Sequence, residues 1–229
     1  MKYYKVVQHN ADALRFGEDY FDQHIIGSDI ALLQRVPESK IAFLKETFPK
    51  VYHTNHSRER SNGETLNLVI AGPEELSEWP NRVHHLPSSS KVMNSKDKHQ
   101  GCKVLHAKLN DTLLSSVLTC YPHDDITSID AYEDVKAVFK LCQSQSAKCL
   151  LVGDLHRDGV GLYKKLSQQY GFIKNYIESE ITFRSETNQF MNLDWCLSNN
   201  QSIAIDDILV HKIDTKLQGH FAITYKLKI

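Results

Sequence analysis

The chain has 229 residues, 41% hydrophobic and 24% charged, with a net charge of −1 at neutral pH. That composition describes an ordinary globular protein; it argues against a strongly basic nucleic-acid coat, and no apolar run approaches the length of a membrane span. One domain over residues 1–229 is expected, because single layered α/β folds often reach this size.

Twelve histidines are scattered without an HxxxH pattern, and five cysteines (Cys102, Cys120, Cys142, Cys149, Cys196) lack framework spacing. Most of the cysteines sit in apolar runs, so they read as buried thiols in a reducing compartment. Met1 to Val7 is too short and polar for a signal peptide. A cytoplasmic monomer with no membrane partner is the expectation.

In chain order, Tyr3 to Gln8 reads as a first strand, rich in aromatic and β-branched residues, running into His9-Asn10-Ala11-Asp12. Gly17 to Ile26 has helical spacing. Ile30 to Gln34 is a second buried strand, and Glu38 to Phe48 a short amphipathic helix. Tyr52 to Asn62 is polar and basic. Thr65 to Ile70 is a strand stopped by Gly72-Pro73, and Pro87 to Gly101 is a loop. Lys103 to Lys108 and Thr112 to Tyr121 read as a hairpin. Asp130 to Gln143 is helical, as is Leu162 to Tyr170 up to Gly171. Further strands are expected at Phe172–Ile177, Glu180–Arg184, Asn192–Leu197, Ile203–Leu209 and Phe221–Leu227.

The stretch that draws attention is Cys149 to His156: an apolar run ending in Gly153-Asp154-Leu155-His156. A continuous hydrophobic segment bounded by a turn is the pattern of a strand buried on both faces. Its carboxyl end is where a layered α/β protein collects chemistry on loops.

Four stretches, in order, resemble the endonuclease/exonuclease/phosphatase (DNase I-like) superfamily. Gln8-His9-Asn10-Ala11-Asp12-Ala13-Leu14-Arg15 is similar to its N-x-D-G-L-R segment, and Asp29-Ile30-Ala31-Leu32-Leu33-Gln34-Arg35-Val36 to D-I-[IVA]-x-L-Q-E-V. Leu151-Val152-Gly153-Asp154-Leu155-His156 resembles G-D-[FL]-N. Asn192-Leu193-Asp194-Trp195 and Gly219-His220-Phe221-Ala222-Ile223 resemble the closing R-[IL]-D-Y and S-D-H-x-[AP]-[IV] segments. Together they span nearly the whole chain.

The resemblance implies an α/β (α+β) fold, a four-layered α/β sandwich of two mainly antiparallel sheets flanked by helices. It also implies a phosphoric-ester hydrolase, an endonuclease or phosphodiesterase using Mg²⁺ or Mn²⁺ on a DNA or RNA phosphate backbone. Carried over position by position, Asn10 would hold a phosphate or a carboxylate. Asp12 and Asp194 would stand on the metal side, and Tyr121 would contact phosphate with His123 close by. Asp154 would align the attacking water, and His220 would be the catalytic imidazole. These residue types suit the chemistry: hard cations take oxygen ligands, in-line displacement at phosphorus needs its oxygens neutralised, and a catalytic histidine needs an acid behind it.

Three departures stand out. Arg35 occupies the position of the main metal-binding Glu, His156 that of the Asn in G-D-x-N, and Gly219 that of the Asp before the catalytic His. An imidazole at His156 still donates to a phosphate oxygen. Arg35 has two readings. In one, its guanidinium replaces the cation and binds phosphate without metal, a task suited to a planar, permanently charged fork. In the other, it pairs with Asp12 or Asp194 and closes a silent site, leaving a pseudoenzyme that serves as a binding or interaction module. Glu38 would need a rearranged loop to take over as metal ligand, and Asp206, Asp207 or Asp214 would have to fold back to replace the missing acid at Gly219.

Other signals read as structure. His84-His85 and His53 with His56 lack a third ligand and read as surface or loop histidines. Arg58-Glu59-Arg60 and the Lys91–Lys103 loop read as solvated charge, Trp195 as a core residue, and Gly153 and Gly171 as turn glycines.

Overall fold

The computed structural model describes residues 2–11, 14–54, 58–59, 65–88, 103–119, 128–146, 148–155, 166, 169–172, 174–177, 180–213 and 217–229. Strands dominate them. The first sheet contains β1 (Tyr3–Asn10), β2 (Ile30–Pro37), β3 (Lys50–His53), β4 (Arg58–Glu59), β5 (Thr65–Gly72), β14 (Ala204–His211) and β16 (Ala222–Lys228). Its order is β14-β16-β1-β2-β5-β3, with β4 also on β5. The second contains β6 (Leu76–His85), β7 (Lys103–Leu109), β8 (Thr112–Leu118), β9 (Cys149–Asp154), β10 (Lys174–Asn175) and β13 (Asp194–Ser198), in the order β10-β13-β9-β8-β7-β6. Each sheet is antiparallel except for one central parallel pair, β1 with β2 and β8 with β9.

Alternation along the central strands builds the layers. On β2, Ile30 and Leu32 face the second sheet while Ala31 and Leu33 face outward; on β9, Leu150 and Val152 point inward while Cys149 and Leu151 point out. Helices cover the outer faces. α1 (Glu18–Ile25) and α2 (Ile41–Thr47) lie on the first sheet, α2 through Ile41 and Leu44. α3 (Ser128–Gln145) lies on the second sheet through Val135, Val138, Phe139 and Cys142, the spacing of one helix face. The result is the expected α–β–β–α sandwich.

Several expectations need correction. β3 and β6 are strands that residue pattern does not announce. Both are edges, β3 half-buried throughout and β6 interrupted by Trp79-Pro80-Asn81-Arg82, where the pairing with β7 shifts between Glu78 and Val83. Proline is tolerated at such an edge, so β6 lacks the apolar run that marks a central strand. Lys103 belongs to no loop: it opens β7, is buried, and burial lowers its pKa. Gly153 is not a turn glycine but lies inside β9, at φ 141°. Gly171, at φ 72° with open space around it, is one.

Candidate functional site

The inward-facing row of each central strand is apolar until its end, where it turns polar. On β1 the row runs Tyr4, Val6, then Gln8 and Asn10; on β9 it runs Leu150, Val152, then Asp154. β13 starts with its polar residue, Asp194, and continues inward with Cys196. Asp194 lies directly opposite Asp154 in the β9–β13 ladder. Beneath them Gln8 donates across to the Trp195 carbonyl at 3.0 Å, and Gln34 to Ser116 Oγ at 2.8 Å. These two amides add hydrogen bonds between the sheets to the aliphatic packing of the core beneath Asp154 and Asp194.

A small third sheet delivers the histidine. β11 (Phe183–Arg184) pairs with β12 (Phe190–Met191) on one side and β15 (Gly219–His220) on the other. His220 Nδ1 lies 2.8 Å from Asp194 Oδ2 and Nε2 lies 3.4 Å from Asp154 Oδ2, with all three residues at least 97% buried. Asn10 Nδ2 donates to the same Asp154 oxygen at 2.9 Å. An ionised carboxylate only accepts, so the Nδ1 proton belongs to His220. Nε2 faces the Asp154 carboxylate. The four residues expected to work together, Asn10, Asp154, Asp194 and His220, thus converge from four strands.

Residues that no motif announced support them. His9 Nε2 lies 3.1 Å from the His220 carbonyl and, since a carbonyl accepts, carries the proton. Burial pushes its pKa down to about 4, so this is a neutral positioning imidazole. The Phe183 ring lies 4.6 Å from the His220 ring. The Asp194 Oδ1 oxygen is buried without a hydrogen-bond donor.

The departures have local causes. Arg35 sits in a β-bulge of β2 at φ 53°, half-buried, one residue beyond Gln34, the register partner of Asn10. An L-residue held there costs roughly 1–2 kcal/mol, and bulges re-aim side chains. Glu38 opens a one-turn 3₁₀ helix, is exposed, and accepts a 2.7 Å hydrogen bond from Asn67 rather than joining Asp154 and Asp194. Asp206 and Asp207 do not fold back: both are exposed on β14, and Asp207 pairs with Lys226 at 2.6 Å. Gly219 holds φ 154°, and a Cβ there would stand 2.9 Å from the Phe16 ring, which stacks on Phe221. An aromatic ring thus closes the space that a carboxylate side chain at 219 would need.

Mg²⁺ wants about six oxygen ligands in octahedral array, with waters filling the positions the protein leaves. Among the described residues no three His, Cys, Asp or Glu side chains gather as a metal group. His220 stands between the two carboxylates, and the ligand position expected for Glu holds Arg35. The described donor set does not fit the ion.

Asp12, Tyr121, His123, His156 and Asp214 lie outside the described residues. Cys142, Cys149 and Cys196 are buried free thiols, as expected, while Cys102 and Cys120 also lie outside. Trp195 is core, and Trp79 donates to Gln145 on α3 at 3.1 Å. His84 and His85 lie on the edge strand β6 rather than in a loop, with His85 exposed at the surface.

Comparison with solved structures settles the architecture. An endonuclease/exonuclease/phosphatase protein of Beutenbergia cavernae superimposes with a TM-score of 0.74 at 12% identity, covering 100% of this chain and 72% of its own. The chain has the endonuclease/exonuclease/phosphatase fold. A D. rerio TDP2 humanized by 14 mutations matches with a TM-score of 0.70 at 9% identity over 99% of both chains. D. rerio TDP2 complexed with single-strand DNA product matches with a TM-score of 0.65 at 10% identity over the full length of both. No protein-family model matches the sequence, and no curated protein matches it significantly. At these identities the likeness establishes the fold alone and leaves the chemistry to the residues.

Proposed function

We propose that the chain is a divergent phosphodiesterase that engages a nucleic-acid phosphate at the His220 pocket, with Arg35 in the role usually given to a divalent cation. The carrying observation is the Asp194–His220–Asp154–Asn10 array, in which one imidazole bridges two buried carboxylates. The position of Arg35 beside the Asn10 register pair supports the second clause. Nucleic acid as ligand is supported by the single-strand DNA product held by the D. rerio protein of the same fold.

These groups suffice for a closed acid–base cycle. Asp154, oriented by Asn10, takes a proton from water as its oxygen bonds to phosphorus. The bond from phosphorus to the leaving oxygen breaks, and that oxygen receives the Nε2 proton of His220. The products are a phosphate monoester and an alcohol. Asp154 then returns its proton to Nε2 across the 3.4 Å separation, restoring the start. Asp194 keeps the Nδ1 proton and the ring orientation throughout. A guanidinium supplies fixed positive charge and paired donors to the non-bridging oxygens.

Gly219 and its Phe16 cover favour a second reading, a silent member of the fold that binds without turnover. Plasmid and single-stranded oligonucleotide, DNA and RNA, incubated with Mg²⁺, Mn²⁺ or EDTA separate the two. Cleavage that persists in EDTA and disappears in His220→Ala and Asp154→Ala is the expected result. Binding without cleavage, weakened in Arg35→Gln, selects the silent reading. Cleavage or binding abolished by EDTA overturns the metal-independent role of Arg35.

A further inference from the structure

We propose that Thr182 is a positioning residue for the His220–Asp194 pair, an inference that rests on the reading of that pair as the working dyad. Thr182 is fully buried immediately before β11. Its Oγ1 accepts hydrogen bonds from two consecutive backbone amides, Leu193 N and Asp194 N, each at 3.1 Å. A hydroxyl oxygen has two lone pairs, and both are used on the strand that enters with Asp194. Its main chain serves the neighbouring strands: Thr182 N donates to the Met191 carbonyl at 3.0 Å, and Phe221 N donates to the Thr182 carbonyl at 2.8 Å.

One residue therefore ties the backbone of Asp194 to the backbone immediately after His220. The next residue, Phe183, is the register partner of His220 and places its ring against the imidazole. The Nδ1–Oδ2 separation of 2.8 Å joins side chains 26 residues apart from different sheets. The β9–β13 ladder holds Asp194 opposite Asp154 and His9 holds the His220 carbonyl, but neither joins β13 to β15. The Thr182 hydroxyl and carbonyl supply that link, so a loss of the acceptor loosens the hold on the Asp194 carboxylate relative to Nδ1.

Valine preserves the shape of threonine and removes the acceptor, whereas serine keeps it. The full-length chain labelled with ¹⁵N-histidine reports the tautomer of a neutral ring in alkaline solution. Wild type and Thr182→Ser are expected to show His220 protonated on Nδ1. Thr182→Val is expected to lose that single pattern for a mixture of the two tautomers. A wild-type tautomer pattern in Thr182→Val overturns the proposal. Should Thr182→Val fail to fold, amide exchange in the wild type decides: the Leu193 and Asp194 amides must exchange at least about 100-fold more slowly than an unstructured chain. Unprotected exchange at either amide overturns the proposal. Neither readout uses turnover, so absence of cleavage in every protein would count against the proposed function and leave the Thr182 result standing.

Discussion

His220 Nδ1 stands 2.8 Å from Asp194 Oδ2, with both groups withdrawn from solvent. In that setting the acid fixes which ring nitrogen carries the proton. Asp194→Asn keeps the volume but can turn an NH₂ group toward Nδ1, which favours the opposite tautomer. Cleavage of an oligonucleotide is expected to fall by about 10⁴ in the variant, the loss seen for the same exchange in the serine-protease triad. Thermal unfolding should move little. A variant retaining cleavage within about tenfold of wild type would show that Asp194 does not orient the ring.

Three buried or half-buried histidines link stability to acid. Burial pushes His9 and His24 down to about 4 and His106 down to about 3, against an ordinary 6.5. Between the folded and ordinary values the unfolded chain binds more protons than the folded one. Their contribution is complete above about pH 6.5 and is lost as the pH falls toward 4 and then 3. The loss should reach a few kcal/mol in order of magnitude. Urea titrations between neutral pH and the folded-state values test this. His9→Gln keeps a donor for the His220 carbonyl but cannot titrate, so its acid loss should be smaller; an acid slope equal to wild type would remove His9 from the account.

Much of this was legible in the residues, for physical reasons that differ by element. β9 could be read because Leu150 to Val152 is apolar on both faces, which only a central strand of a covered sheet requires. Asn10, Asp154, Asp194 and His220 could be read because each follows or precedes such a run in a recognisable short pattern. The edge strands β3 and β6 could not: β6 carries Pro80 and exposed polar side chains that a central strand excludes. Thr182 was invisible for another reason. Its role consists of hydrogen bonds to backbone amides 11 and 12 residues away, and no residue pattern records which amides a hydroxyl will meet.

Gly153 tests how rigidly the pocket is tied to the sheet. It pairs with Val117 in the parallel β8–β9 ladder at φ 141°, and a Cβ there would collide with the Val117 carbonyl and lie 2.9 Å from the Val117 amide nitrogen. Backbone cannot yield as a flexible side chain does. Gly153→Ala should cost more than about 4 kcal/mol or prevent folding, the range reached by strained core changes. Gly171→Ala, at φ 72° in open space, should cost only about 1 kcal/mol by backbone strain. Chemical denaturation of the two variants side by side checks the contrast. Equal stabilities would mean that the ladder can shift, and with it the neighbouring Asp154.

Phe16 leaves little room for an acidic side chain at position 219. The ring packs 2.9 Å from where a Cβ at 219 would lie, stacks on Phe221 with centroids 5.8 Å apart, and meets Tyr20 edge-on at 5.3 Å. Tyr20 is held in turn by its hydroxyl, which donates to the His211 carbonyl and accepts from Ala222 N. Gly219→Asp therefore meets both an unfavourable φ of 154° and an anchored ring. It should destabilise the chain by about 1–3 kcal/mol. Phe16→Ala removes the obstacle at its own packing cost, so the double variant should lose clearly less than the sum of the two single losses. A double-mutant cycle by urea denaturation measures that coupling, and at least about 0.5 kcal/mol is expected for residues in contact. Strict additivity would mean that the ring does not occupy the space a side chain at 219 would need.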